Sequence, residues 1–188
     1  MAPTSTSFAV STEAVAASCA RQGLACKHSP DGTQLAIGHQ VLGVQTAILC
    51  LPWSERGMYM FALALPFAVP AARAEAVALA TALLNSQTLM GAWAINTDKG
   101  EIYFRITLPT RGAELSDEGL AFLWQVIAST VEQFAPAFYR IASEGAPPSL
   151  VTATSCALLV SHCSSRKPAS GLRAFFGIIR PRPPLCEE

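Results

Sequence analysis

The chain has 188 residues, a size suited to one domain, and 51% hydrophobic content against 14% charged residues supplies a packed core and argues against disorder throughout. Thirteen basic and thirteen acidic side chains cancel, so the chain as a whole lacks the cationic excess that condenses on nucleic acid or an anionic membrane. The charge is uneven, because residues 146–188 carry a net +3 from Arg166, Lys167, Arg173, Arg180 and Arg182 against Glu187 and Glu188, leaving −3 on the remainder.

The first predicted element is a helix from about Ser11 to Gln22. Ser11 or Thr12 serves as N-cap, Glu13 faces the positive helix end, Val15 and Cys19 lie on the apolar face, and Gly23 stops it. Strand-like runs follow at about Ala25–His28, Gln34–Ile37, Val41–Leu51 and Met58–Leu65, parted by Pro30-Asp31-Gly32 and by Pro52–Gly57. Together they read as an antiparallel meander of about three strands. The near-continuous apolar runs VLGVQTAILCL and MYMFALAL fit strands covered on both faces, or strands with one face reserved for a partner.

A second helix is expected from Pro70 to Asn85, with Pro70 in its first turn. A hairpin comes next, Leu89–Asn96 and Glu101–Leu108. In its second strand Ile102, Phe104, Ile106 and Leu108 alternate with Glu101, Tyr103, Arg105 and Thr107. The last helix begins at Ser116, followed by Asp117 and Glu118 at its positive end. It lays Leu120, Leu123, Trp124, Ile127, Val131, Phe134, Phe138 and Ile141 in one stripe and ends near Ser143, with a kink expected at Pro136. The fold class expected is α+β: helix, three antiparallel strands, helix, two-strand hairpin, long helix. After Gly145 the periodicity stops. The domain is therefore drawn over residues 1–145, with residues 146–188 as a poorly ordered Pro/Ser/Arg-containing tail whose basic, apolar LRAFFGIIRPR could make weak surface contact.

Chemical motifs are sparse. Cys19, Cys26, Cys50, Cys156, Cys163 and Cys186 form no Cys-x-x-Cys pair, and neither Cys26 with His28 nor His162 with Cys163 has zinc-site spacing, so no metal and no cofactor is expected. The GHQVLG run from Gly38 to Gly43 is neither a phosphate loop nor a dinucleotide fingerprint, and no nucleophile elbow accompanies His28, His39 or His162. The alternative reading, a small Cys/His-using metal protein or enzyme, requires these side chains to converge in one pocket; they are expected to lie dispersed. The longest apolar runs, Met58–Val69 and Leu150–Val160, fall short of the ~20 residues of a membrane-crossing helix. The N-terminal residues carry no secretory pattern, and the expected location is the cytoplasm.

The segment from Leu83 to Phe138 combines a helix ending at Asn85, a strand Trp93–Asn96, a turn with Asp98 and Gly100, a strand closing on Leu108-Pro109, an acidic-capped start at Ser116–Glu118 and a long helix. In this it resembles the YbjN family, described as putative bacterial sensory transduction regulators, over roughly Phe8–Ser143. The resemblance implies a fold like that of the type III secretion chaperones, small cytoplasmic proteins that commonly dimerise and hold an extended segment of a secreted effector. It also implies a non-enzymatic, chaperone-like or regulatory protein-binding module, with a protein client or a second copy as partner. The candidate contact surface comprises Trp93, Tyr103 and Arg105 of the hairpin with Met58 and Met60 of the preceding strand, through face burial or sheet extension. Packing of Trp93 under a helix is the competing reading for that ring.

Overall fold

The structure is a computed structural model, which describes residues 7–112 and 114–155. Eight strands and three α-helices follow in the order β1 (Ser7–Ala9), α1 (Thr12–Arg21), β2 (Cys26–His28), β3 (Leu35–Val41), β4 (Val44–Trp53), β5 (Met58–Ala68), α2 (Ala74–Asn85), β6 (Ala92–Asn96), β7 (Glu101–Pro109), β8 (Glu114–Ser116) and α3 (Asp117–Tyr139). The α+β class expected from the sequence is the one observed. Within the larger sheet four strands rather than three precede α2, because the short run at Cys26–His28 pairs with β3 as an edge strand. A further pair, β1 with β8, matches Phe8 to Leu115 and ties the start of the described chain to the threshold of α3.

The six-stranded antiparallel sheet has the order β2-β3-β4-β5-β7-β6. The last strand in the sheet's sequence is thus not at its edge: β7 inserts between β5 and β6, with Ile106 opposite Phe61 and Phe104 opposite both Leu63 and Trp93. Local chemistry sets the ends of the helices. The Ser11 hydroxyl accepts from the Ala14 amide at 3.2 Å and the Ser116 hydroxyl from the Gly119 amide at 3.0 Å, each satisfying a first-turn donor that the helix itself leaves unpaired. Pro70 does not open α2. A short 3₁₀ turn, Ala71–Arg73, intervenes before the helix starts at Ala74.

Alternation in the strands divides the sheet into two faces. Leu35, Ile37, Val41, Ile48, Cys50, Tyr59, Phe61, Leu63, Trp93, Ile102, Phe104 and Ile106 are buried on one of them. The stripe of α3 lies against this face: Trp124 meets Phe61 edge-on at 5.2 Å between ring centroids, and Phe134 and Phe138 meet Trp93 at 6.3 and 4.7 Å. Helix α1 joins the same side, where the Tyr59 hydroxyl donates to Thr12 Oγ1 at 3.2 Å. α3 runs through Pro136 and widens into a π-type turn at Arg140–Glu144, closed by Gly145 in the left-handed conformation, whose successor Ala146 donates to the Arg140 carbonyl at 3.1 Å.

Past Gly145 a helical stretch covers residues 150–155, and Val151 is fully buried in the core, with Ala146 and Leu150 packed against it. Residues 156–188, the greater part of the expected tail and the home of Cys156, Cys163, Cys186 and His162, lie outside the described residues. No helix among the described residues is long and apolar enough to cross a membrane.

Candidate functional site

The second face of the sheet has no helix on it among the described residues. Strand register places Lys27, Ala36, Leu49, Ala62, Arg105 and Ala92 in one row across all six strands, each opposite the next. A parallel row runs Leu51, Met60, Thr107, and another Ala64, Tyr103, Ala94. Only Lys27 and Arg105 in these rows are charged. Leu49 is 39% exposed, and Trp53, next to the Leu51 row on β4, is 37% exposed with the Arg56 guanidinium stacked 4.4 Å over its ring. The apolar runs of β4 and β5 are thus explained by two faces doing different jobs. One is sealed by helices, and the other remains an aliphatic surface.

Of the expected surface residues, Tyr103, Arg105, Met58 and Met60 lie on this open face, all partly exposed. Trp93 does not. It points to the helix side, is 3% exposed and packs on Phe104, Phe134 and Phe138, so its place in the expected surface is corrected to the core. Its strand position alone left the choice open, because which side of β6 meets α3 is decided by strand order. The Trp93 backbone also does work: its amide donates to Asn85 Oδ1 at 2.8 Å and its carbonyl accepts from Asn85 Nδ2 at 2.9 Å. One side chain at the end of α2 thereby holds the sheet's edge strand.

The cysteines differ from expectation. Cys19 of α1, Cys26 of β2 and Cys50 of β4 are not dispersed but lie near one another. They meet inside the core rather than around a cavity: Cys19 and Cys50 are fully buried. Burial pushes the Cys19 thiol up to about 11 and the Cys50 thiol higher still, so both are protonated and unreactive at neutral pH. No group of His, Cys, Asp and Glu among the described residues could hold a metal ion. His39 points inward from β3, with Nε2 3.1 Å from a Glu132 carboxylate oxygen of α3, at an angle that makes no hydrogen bond.

Asp117 and Glu118 were expected at the positive end of α3. Both are in its first turn, and Asp117 also takes a bidentate grip from Arg21 and a hydrogen bond from Ser18, which together hold its carboxyl down at about 2. It is a structural anion, committed to joining α1 to α3.

An open groove of about 440 Å³, which no pattern in the sequence announces, lies at the end of β6, between the approach to that strand and β7. Leu89 and Met90, 86% and 42% exposed, stand on one side, and Arg105, Thr107, Leu108 and Leu123 of α3 on the other. Gly91 makes the narrow passage possible. Its φ is +81°, and a Cβ there would lie 2.5 Å from the Phe104 ring and 2.7 Å from the Arg105 carbonyl oxygen.

A family model for YbjN, described as "Putative bacterial sensory transduction regulator", matches residues 11–140, more than half of the chain. A search of curated proteins finds no match.

Proposed function

Since the chain belongs to the YbjN family, we propose that it is a non-enzymatic, chaperone-like regulatory module of the cytoplasm that binds protein through the open face of its six-stranded sheet, as a homodimer or with a client segment. The observation that carries this reading is the aliphatic row of exposed Leu49 and half-buried Ala36, beside half-buried Met60 and Leu51 and around the buried Ala62, on a face without a helix among the described residues. Aliphatic side chains in such a row lose nothing by contact with another apolar surface and gain roughly 25 cal/mol for each Å² withdrawn from water. Tyr103 and Arg105 at the end of the rows supply the polar, aromatic groups that favour protein recognition over indiscriminate sticking.

The buried, protonated Cys19 and Cys50 support a packing role for the thiols rather than a catalytic one. The test is the Leu49→Lys/Met60→Lys double variant in the full chain. Both side chains point away from the core, so the variant keeps its melting temperature. Wild-type protein is expected at about twice the 19.9 kDa chain mass by light scattering, or in a stoichiometric complex with a captured partner, and the variant as a bare monomer. A wild-type chain that is monomeric at high micromolar concentration, and whose captured partners are the same with and without the two lysines, would refute the reading.

A further inference from the structure

The Asn85 clamp fixes which way the backbone of the hairpin faces. Both polar groups of Trp93 turn away from β7 toward Asn85, so the ladder bonds between β6 and β7 belong to Ala92, Ala94 and Asn96 with their partners Arg105, Tyr103 and Glu101. Alternation along β7, which runs without a bulge from Tyr103 to Pro109, then points the N–H and C=O of Thr107 to the same side. β6 begins at Ala92, opposite Arg105, so no strand among the described residues reaches Thr107 there. The result is a short stretch of unpaired sheet edge, with a donor and an acceptor at Thr107 and the carbonyl of Pro109 beyond it.

Three further features converge on this stretch. The groove beside it is walled by Leu89 and Met90 on the far side and floored by Leu108 and Leu123. Arg105 lines the same groove, and no carboxylate among the described residues lies within ion-pair distance of it. Unpaired edge backbone is a template for strand addition, and native sheets ordinarily cover it or blunt it with charge or proline.

We propose that the edge at Thr107 binds an extended peptide segment of a protein partner, with the local pattern apolar–acidic–apolar. The middle residue exchanges both backbone hydrogen bonds with Thr107 and shares its face of the sheet, which sets the acidic side chain diagonally beside Arg105. The flanking residues point to the other face, into the groove against Leu108 and Leu123. This site uses the edge backbone rather than the open face and shares only Arg105 and Thr107 with that face, so it stands separately from the proposed function.

The test is fluorescence polarisation of the full chain with a labelled, Gly/Ser-flanked peptide centred on Val-Glu-Val and its Val-Lys-Val counterpart. The glutamate peptide is expected to bind at least tenfold more tightly. Thr107→Pro removes an N–H that the sheet's own ladder does not use and is tolerated at an edge, so its melting temperature stays while peptide binding falls about tenfold or more. Arg105→Glu reverses the preference between the peptides and carries the test should the proline variant melt early. Leu42→Lys, in the exposed turn between β3 and β4, leaves binding unchanged. Equal binding of the two peptides, binding undiminished in a folded Thr107→Pro chain, or no binding at all because a second copy or residues 156–188 occupy the edge, would each overturn the proposal.

Discussion

Arg21 holds Asp117 with two nitrogens: Nε lies 2.8 Å from Oδ2 and Nη2 2.7 Å from Oδ1, while Ser18 donates to Oδ1 at 2.5 Å. The two helices it joins are far apart in sequence, and Gln22 adds a bond from its side chain to the Asp117 carbonyl oxygen at 3.1 Å. A carboxylate at a helix N-terminus already faces favourable dipoles. Here the same group also serves as the latch between α1 and α3.

That latch is pH-dependent with a defined sign. The carboxyl of Asp117 sits at about 2 in the folded chain, held down by Arg21 and Ser18, against about 4 in an unfolded one. Its contribution is therefore complete above the unfolded value and is lost as pH falls toward 2. The melting temperature is expected to drop between pH 5 and pH 2, and Asp117→Asn to lower it at neutral pH while flattening part of that acid slope. Asp31, also held at about 2 by Ser29 and Thr33, supplies slope that remains in the variant. Acid melts of the two proteins that run parallel would contradict this role.

Leu42 is a non-glycine residue with positive φ, at +52°, in the two-residue turn between β3 and β4, with Gly43 at +79°. This is the turn geometry that Asn-Gly adopts most easily, and a leucine in the left-handed region is strained. Leu42 is 47% exposed, so nothing in the core rewards the strain. Leu42→Asn is expected to stabilise the chain by about 1 kcal/mol in urea unfolding with an unchanged slope. A lower midpoint would show that the leucine makes a compensating contact.

The three central cysteines should differ in reactivity. Cys19 and Cys50 are buried with raised thiol pKa values, and Cys26 is partly exposed. Native-state alkylation at pH 7.5 followed by peptide mapping should label Cys26 well before Cys19 or Cys50, with all three equalising in denaturant. Early labelling of Cys50 would mean that β4 opens readily.

Much of the local structure was legible because its causes are local. Ser11 and Ser116 cap helices by reaching amides three residues on, and the alternation from Ile102 to Leu108 marks the buried side of β7 without reference to any other strand. Pro70 shows the limit of that reasoning, since a proline suits a helix's first turn but equally suits the 3₁₀ turn that precedes α2. The β1–β8 pair escaped for a related reason: three residues on each side carry too few side chains for a period, and only their meeting across more than a hundred residues makes them strands.

The sequence by itself determined the α+β class, the α3 stripe, the sites of the helix caps and the family likeness, because periodicity and capping act over a few residues. Tertiary structure alone decided that β7 lies between β5 and β6, that Trp93 turns inward, that the separated Cys19 and Cys50 share the core with Cys26 at its border, and that Thr107 meets an open edge. Those outcomes depend on strand order and on which face α3 covers. Both are set by the whole core closing at once, and no window of residues along the chain contains them.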